Sequence, residues 1–98
     1  MQARIEAWLH RTYHLRDGRS CLRMGRMLRA LITNPERIGS ELAAAAGLPG
    51  RGAARVSARL SALGLVAWER RGYSRYWRLL PATEDALVVA GPPAPPLA

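Results

Sequence analysis

The arginines between positions 51 and 78 are the residues of this chain whose type and spacing predict chemistry. The stretch holds seven arginines and one acid, Glu69, so it carries a net charge of +6 out of the chain's total of +8. Guanidinium groups bind phosphate and carboxylate groups through paired hydrogen bonds. A cluster of them therefore predicts an anionic partner, which could be a nucleic acid, an acidic protein or an anionic membrane surface.

All fifteen basic residues are arginine, and lysine is absent. Two explanations remain open for this choice. Arginine binds phosphate groups and guanine edges bidentately, which lysine does not. A GC-rich genome would also favour arginine codons, and the abundance of alanine, glycine and proline fits that explanation. A uniform codon bias does not, however, explain why the charge is concentrated in one stretch.

Length and composition predict one small intracellular domain. Ninety-eight residues with 49% apolar content suit a single globular core. The one cysteine, Cys21, permits no internal disulfide, which fits a reducing compartment. No apolar run approaches the ~20 residues that cross a bilayer, and the first residues lack the apolar stretch of a secretory signal. We therefore expect a soluble cytoplasmic protein that does not associate with a membrane.

Apolar residues recur every three or four positions in four segments, which predicts four amphipathic helices. Ser20 is the predicted N-cap of the second helix. Gly47 is predicted to end the third helix, because glycine adopts a left-handed conformation at little cost. The predicted helices span residues 3–14, 21–33, 40–46 and 52–63.

A β-hairpin is predicted after the fourth helix. Aromatic and β-branched residues fill 66–70 and 75–80, and Gly72 lies in the connecting turn. In the second strand, Trp77 and Leu79 share one face. Thr83 is then predicted to cap a short helix.

The last helix is expected to span 83–90. The remaining residues, 91–98, are rich in proline and are predicted to form a disordered, polyproline-like tail. The predicted organisation is thus an N-terminal element over 1–20, a core domain over 21–90 and this tail.

The order of helices and hairpin resembles the winged helix-turn-helix of bacterial transcriptional regulators. The resemblance rests on "SELAAAAGL" (40–48), "VSARLSALGLV" (56–66) and "RYWRLL" (75–80), which look like segments common in regulators of the PadR, MarR and ArsR type. PadR-like regulators are the most similar. The resemblance implies a mostly α fold with a small β-hairpin and an extra N-terminal helix. It also implies a bacterial or phage DNA-binding regulator, such as a homodimeric repressor, without enzymatic activity.

In such a fold the second helix of the motif enters the major groove and the wing contacts the DNA backbone. The corresponding segments here are helix 52–63 and wing 66–80. Arg55 is the predicted base contact, bidentate to guanine, while Arg59 is predicted to contact phosphate or to pack its stem on the hairpin. The predicted DNA-binding residues are Arg51, Gly52, Ala54, Arg55, Ala58, Arg59, Arg70, Arg71, Tyr73 and Arg75.

The groove helix departs from the pattern that it resembles. Related regulators begin this helix with Ser or Thr and carry polar groups along it, whereas this chain has Gly-Arg-Gly-Ala-Ala at 50–54. Fewer hydrogen-bonding groups leave less capacity for direct readout of bases. We therefore expect low sequence specificity, or specificity that comes partly from DNA shape.

The apolar face of the first helix needs a partner surface. It either packs on its own domain or pairs with a second copy. PadR-like regulators dimerise through a C-terminal helix, but here that segment is short and followed by prolines. We therefore predict that a homodimer forms through the first helix, using Ile5, Trp8, Leu9 and Tyr13.

Aromatic residues near the hairpin leave a second interpretation open, because bases of single-stranded nucleic acid stack on aromatic rings. The preferred interpretation is that Trp68 and Trp77 anchor the hairpin to the helices. Tyr73, at the tip, is predicted to be exposed. A protein-interaction adaptor, or an accessory protein that bends DNA or assists recombination, remains the alternative to a regulator.

His10 and His14 lie one helical turn apart, and Cys21 offers a third ligand. Zinc sites usually show a fourth ligand and tighter pairing, so neither a metal nor a cofactor is predicted. No glycine-rich phosphate loop or activated nucleophile is present, and nothing in the sequence indicates a small-molecule effector.

The concentrated charge predicts a steep salt dependence of duplex binding. If about six phosphates are neutralised per subunit, log affinity should fall with log salt concentration at a slope of roughly −5, because bound counterions are released. Fluorescence anisotropy of a labelled duplex over a salt series measures this slope. An affinity that does not depend on salt would contradict the prediction.

Overall fold

A computed structural model of the chain describes residues 2–34 and 36–90, with side chains described as far as residue 87. The described residues form five helices and a small antiparallel sheet, in which strand 74–79 lies between strands 37–38 and 66–71. The fold is therefore mostly α with a small antiparallel sheet, as predicted. The elements are α1 (Gln2–Tyr13), α2 (Gly18–Thr33), β1 (Arg37–Ile38), α3 (Gly39–Ala46), α4 (Gly50–Ala62), β2 (Val66–Arg71), β3 (Ser74–Leu79) and α5 (Pro81–Ala90).

Helix α2 is the centre of the core. Its apolar residues fall on one face, and most of them are fully buried. Helices α1, α3 and α4 all pack against it, so this helix orients the others. Its buried residues are Cys21, Met24, Gly25, Met27, Leu28, Ala30 and Leu31.

Helix α2 begins earlier than its sequence pattern predicts. The Asp17 carboxylate accepts hydrogen bonds from the Arg19 backbone N–H at 3.0 Å and from the Ser20 hydroxyl at 2.8 Å. Asp17 is therefore the N-cap, and the prediction of Ser20 was wrong because an aspartate stood three residues ahead of it. The Ser20 hydrogen bond, and then that from Arg19, lower the pKa of Asp17.

Helix α1 packs directly on α2. Gly25 permits the approach, since a Cβ atom at that position would lie 2.8 Å from Nε2 of Gln2 and 3.0 Å from Cγ of Glu6. Ile5 and Leu9 are completely buried in the common core. At Ile5 and Leu9, helix α1 therefore packs on its own domain and not on a second copy of the chain.

The hairpin turns at Gly72 and Tyr73 as predicted, and Gly72 has a φ of +63°. A glycine at the first position of a two-residue hairpin loop suits a turn that needs positive φ there. On β3, Trp77 and Leu79 are buried, so the predicted face is confirmed. Strand β1 adds a third strand by pairing Arg37 with Trp77.

The chain from residue 80 departs from prediction in its details. Helix α5 begins at Pro81, and Thr83 lies buried inside its first turn, so Thr83 is not the cap. Proline suits a first helical position, because its missing N–H would have no intrahelical partner there. The predicted tail, 91–98, lies outside the described residues. None of the described helices combines the length and the hydropathy that a membrane-spanning segment needs.

The burial of α1 predicts that it contributes to the stability of the whole domain. Leu9→Ala should lower the free energy of unfolding by about 2–5 kcal/mol, as large-to-small changes in a packed core do. Arg11→Ala, on the exposed side of the same helix, is the control and should change it by less than about 0.5 kcal/mol. Urea unfolding followed by circular dichroism measures both changes. Equal unfolding midpoints for Leu9→Ala and Arg11→Ala would mean that the packing of α1 does not stabilise the domain.

Candidate nucleic-acid interface

Helix α4 has one buried face and one strongly basic face. Ala53, Val56 and Leu60 are buried against the core, and Ser57 is buried with them. The Ser57 hydroxyl donates to the Ala53 carbonyl at 2.9 Å, so its burial leaves no polar atom without a partner. The opposite face exposes Arg51, Ala54, Arg55, Ala58 and Arg59.

The exposed face of α4 is divided into two rows. Arg51, Arg55 and Arg59 recur every four residues and drift around the helix, because a turn takes 3.6 residues. The drift carries Arg59 towards the start of α2, where its charge acts on the Cys21 thiol. Arg59 is exposed, and both alternatives for it, contact with phosphate or packing of its stem on the hairpin, stay predictions. Gly52 lies half-buried beside Pro49.

The second row of α4 consists of small residues and forms the floor of a groove against the hairpin. One hollow, of about 420 Å³, lies between this row and the wing. A second, of about 410 Å³, lies between the starts of α3 and α4 and the tip of the wing. Both hollows are lined by Ala54, Arg75 and Trp77, so they lie side by side, and together they are called the groove. The remaining floor residues of the first hollow are Ala58, Ser61 and Ala62.

The face of the hairpin that lines the groove carries positive charge without an acid. The register places Trp68 opposite Trp77 and Arg70 opposite Arg75. Because side chains alternate along a strand, these four share a face. The Arg75 guanidinium lies 4.4 Å from the centre of the Trp68 ring, a cation–π contact that holds the charge over the groove.

The two tryptophans of the hairpin have different roles. Trp77 is buried and anchors the hairpin to the helices, as predicted. Trp68 remains 42% exposed, so the prediction that it anchors the hairpin in the same way was wrong. Its ring packs 6.2 Å from that of Trp77 and forms a wall of the groove. At the tip, Tyr73 is fully exposed as predicted.

The opposite face of the hairpin is balanced in charge. Arg71 forms ion pairs with Glu36 and with Glu69. The Nε atom of Arg71 lies 2.5 Å from Oε1 of Glu69. The Arg71 guanidinium also lies 4.7 Å from the centre of the Tyr76 ring. The hydrogen bond from Arg71, then its charge, lowers the pKa of Glu69, and the charge of Arg78 adds to this. Among the described residues that were predicted to bind DNA, Arg71 is thus the one already held by carboxylates of its own chain.

The structure therefore collects a smaller set of cations than the sequence suggested. Arg51, Arg55 and Arg59 lie on α4, and Arg70 and Arg75 lie on the groove face of the hairpin. None of these five forms an ion pair with a carboxylate among the described residues. The surface that they form with the groove is called the basic surface below.

Several residues that shape the groove do not stand out in the sequence. Gly39 and Ser40 line it from the start of α3, and Ser61 and Ala62 from the end of α4. Trp68 was assigned to the wrong environment. One signal in the sequence could have placed Trp68 on the groove face. Trp68 and Arg70 alternate along β2, and a two-residue turn sets them opposite Trp77 and Arg75.

The residues predicted to mediate dimerisation are not equally accessible. Ile5 and Leu9 are buried within the chain and offer no surface to a second copy. Trp8 and Tyr13 are half-buried, and their rings meet edge to face at 5.8 Å. Association of two copies through α1 stays a prediction, and it would use these two aromatic residues.

The His10, His14 and Cys21 trio does not assemble into a metal site in the part of the chain that the structure describes, where no three potential ligands converge. His10 Nδ1 donates to the Leu15 carbonyl at 2.5 Å. Cys21 is buried and its Sγ lies 3.7 Å from the same oxygen. Burial raises the pKa of the Cys21 thiol, so it remains protonated at neutral pH.

Comparison with known proteins supports the fold. No protein-family model matches the chain, and no curated protein matches its sequence. Among solved structures, the chain is similar to NadR, whose crystal structure was determined in complex with 4-hydroxyphenylacetate. The TM-score is 0.67 and the sequence identity 18%; the match covers 92% of this chain and 64% of that one. The chain thus has a winged-helix fold and spans about two thirds of the length of NadR.

The Glu36–Arg71 ion pair predicts that an acid outside the hairpin orders its tip. Glu36→Gln should speed amide hydrogen exchange at residues 71–74, because the contact between the wing and the segment before β1 is lost. Glu84→Gln, which removes an exposed acid from α5, is the control and should leave those amides unchanged. Exchange followed by nuclear magnetic resonance (NMR) measures both.

Acid should also break the second ion pair of Arg71, the one with Glu69, in wild type. The pKa of Glu69 is lowered in the folded chain, so its carboxylate persists below its ordinary titration range and is lost as the pH falls through that lowered value. If amide exchange at the hairpin tip is equally fast in Glu36→Gln and in wild type, the Glu36–Arg71 ion pair does not order the tip.

Proposed function

We propose that this protein binds duplex DNA and regulates transcription. The observation that carries the proposal is the basic surface, in which two sets of unpaired guanidinium groups flank an exposed, small-residue helix face. On a free helix, like charges four residues apart repel by a few tenths of a kcal/mol per pair. Phosphate groups on both sides of a DNA groove would offset that repulsion at Arg51, Arg55 and Arg59.

Helix α4 suits insertion into the major groove. That groove is about 12 Å wide, which admits a helix whose front carries small side chains. Ala54 and Ala58 are small and exposed, so the backbone of α4 approaches the base edges closely. Arg55 lies between this small row and the edge of the helix, and we propose that it binds a guanine bidentately.

The groove between α4 and the hairpin suits one strand of the DNA backbone. Arg75, held over Trp68, lies in the middle of the groove, and Arg70 lies beside it on the same face. At one end, the start of α3 exposes Gly39 and Ser40 to the groove. The N-terminal end of a helix attracts phosphate through its free N–H groups and its dipole. Backbone contacts of this kind set register and supply affinity without reading sequence.

We further propose that the protein acts as a homodimer in the cytoplasm, on the nucleoid. A two-fold dimer places two recognition helices about one helical turn of DNA apart. NadR, a transcriptional regulator of the MarR family, shares this fold. Its bound 4-hydroxyphenylacetate shows that a small molecule occupies a protein of this architecture. An effector therefore belongs among the hypotheses for this chain, although the sequence alone did not indicate one.

Single substitutions distinguish base readout from backbone contact. Arg55→Ala should relax preference at one base position, by about 1–3 kcal/mol of discrimination. Arg75→Ala should weaken binding to all duplex sequences by a similar factor. It should also reduce the magnitude of the salt slope by about one. Arg71→Ala should change affinity less than Arg75→Ala, because Glu36 and Glu69 already neutralise Arg71. Arg11→Ala on α1 is the charge-matched control.

Selection of bound sites from a random duplex pool, followed by anisotropy titration of each variant, makes these measurements. A palindromic motif would support both sequence preference and the dimer. If Arg75→Ala and Arg11→Ala lose duplex affinity equally, the basic surface is not the DNA-binding site. If wild type fails to bind any duplex at low salt, the alternative of a protein-interaction adaptor takes its place.

A further inference from the structure

A second cluster of arginines lies on α2, away from the basic surface. Arg26 and Arg29 are exposed on this helix, and Arg37 begins β1 next to them. Together with the start of α1 and the last turn of α3 they line a cleft of about 720 Å³, called the α2 cleft below. Its lining residues are Gln2, Leu22, Arg26, Arg29, Ala30, Thr33, Arg37, Ala44, Ala45, Ala46 and Gly47.

The positive charge of the α2 cleft is not compensated within the described chain. Its described lining contains no acid, and no carboxylate of the described residues pairs with Arg26 or Arg29. The end of α3 brings a partial negative charge of about half an elementary charge. Part of that charge is already used, because the Leu48 N–H donates to the Ala43 carbonyl at 3.0 Å. Three full positive charges therefore dominate the field in the cleft.

Hydrogen bonds to the backbone hold the walls of the α2 cleft. Gln2 Nε2 donates to the Leu22 carbonyl at 3.3 Å, which fixes the start of α1 on one side. Arg37 Nε donates to the Ala30 carbonyl at 3.3 Å, which fixes its guanidinium on the other. The two terminal nitrogens of Arg37 are left to bind a ligand. A guanidinium held in this way loses less freedom on binding than a free one.

The lining chemistry selects the class of ligand. The volume lies within the range of about 300–1,000 Å³ that is usual for small-molecule sites. The described lining offers guanidinium, amide, hydroxyl and methyl groups but no aromatic ring, so a flat aromatic molecule finds no stacking partner. Guanidinium forks match the oxygen geometry of phosphate bidentately. We propose that the α2 cleft binds a phosphate group, carried by a compact phosphorylated small molecule.

The backbone of DNA could supply the same phosphate chemistry. Helix α3 separates the α2 cleft from the groove of the basic surface: Gly39, Ser40 and Ala43 line the groove, whereas 44–46 line the cleft. The free molecule is therefore the favoured source, and the experiment below distinguishes the two. The proposal does not depend on the proposed function, since a protein that binds no DNA would still contain this cleft.

Titration of the ¹⁵N-labelled full chain with pyrophosphate tests the proposal. Chloride keeps the ionic strength constant, and two-dimensional NMR follows the backbone amides of 44–47 in the cleft and of Gly72 at the hairpin tip. In wild type the cleft amides should shift and saturate. The double variant Arg26→Gln, Arg29→Gln should weaken this binding at least about tenfold, because charge-assisted bidentate contacts are lost.

Two controls separate the cleft from general attraction of anions. Arg23→Gln removes one exposed charge from α2 outside the cleft and should change the cleft affinity by less than about twofold. Arg55→Gln with Arg75→Gln removes charge from the basic surface and should leave the cleft shifts intact. A wild-type-like spectrum without ligand establishes that each variant is folded.

A duplex titration of the same variants identifies the source of the phosphate. With a free ligand, the double variant binds duplex within about twofold of Arg23→Gln, and pyrophosphate does not displace the duplex. With DNA as the source, the double variant binds duplex more weakly, and the magnitude of its salt slope falls by about one to two. The cleft amides of wild type then also shift when duplex is added. The proposal is overturned if the cleft amides do not shift at up to about 10 mM pyrophosphate, a concentration that detects millimolar affinity. It is also overturned if the double variant and Arg23→Gln bind pyrophosphate equally.

Discussion

The burial of Trp77 determines how the hairpin stands against the helices. Its ring is buried on the inner face of β3, its backbone pairs with both neighbouring strands, and its side chain borders both hollows beside α4. Because the indole occupies this fixed volume, it sets the separation between α4 and the wing. Arg75 and Arg70 then lie across the groove from the arginines of α4. Without that spacing, the same charges would be spread over unrelated surfaces.

The arrangement of acids matters as much as that of arginines. The outer face of the hairpin sets Glu36 and Glu69 against Arg71 and Arg78, so its field is weak, whereas the groove face has two arginines and no described acid. A seven-arginine stretch thus becomes a one-sided electrostatic feature only after folding. The separation of the two faces follows from the two-residue alternation of a strand and from the register that the turn imposes.

Much of the architecture could be predicted from sequence because each element is locally consistent. The helices follow their apolar spacing, Gly47 and Gly72 adopt positive φ, and the buried face of β3 follows alternation. Boundaries were less predictable because several residues competed for the same role, as Asp17 and Ser20 did for the cap of α2. These outcomes depended on local geometry that spacing alone does not resolve.

The candidate site was predictable in composition but not in detail. The arginines of α4 are exposed as expected, since their spacing relative to the buried stripe determines this. The pairing of Arg71 with Glu36 depends on a tertiary contact between segments 35 residues apart in sequence, and no local pattern signals it. The same holds for the α2 cleft, which joins α1, α2 and α3.

The basic surface consists entirely of guanidinium groups, which has a consequence for how it can be controlled. Guanidinium remains protonated at every pH that a cell experiences. Acetylation, which removes the charge of lysine side chains, finds no lysine in this chain to act on. The attraction of the surface for polyanions is therefore constitutive, and release must come from competition, from added negative charge or from a change of shape.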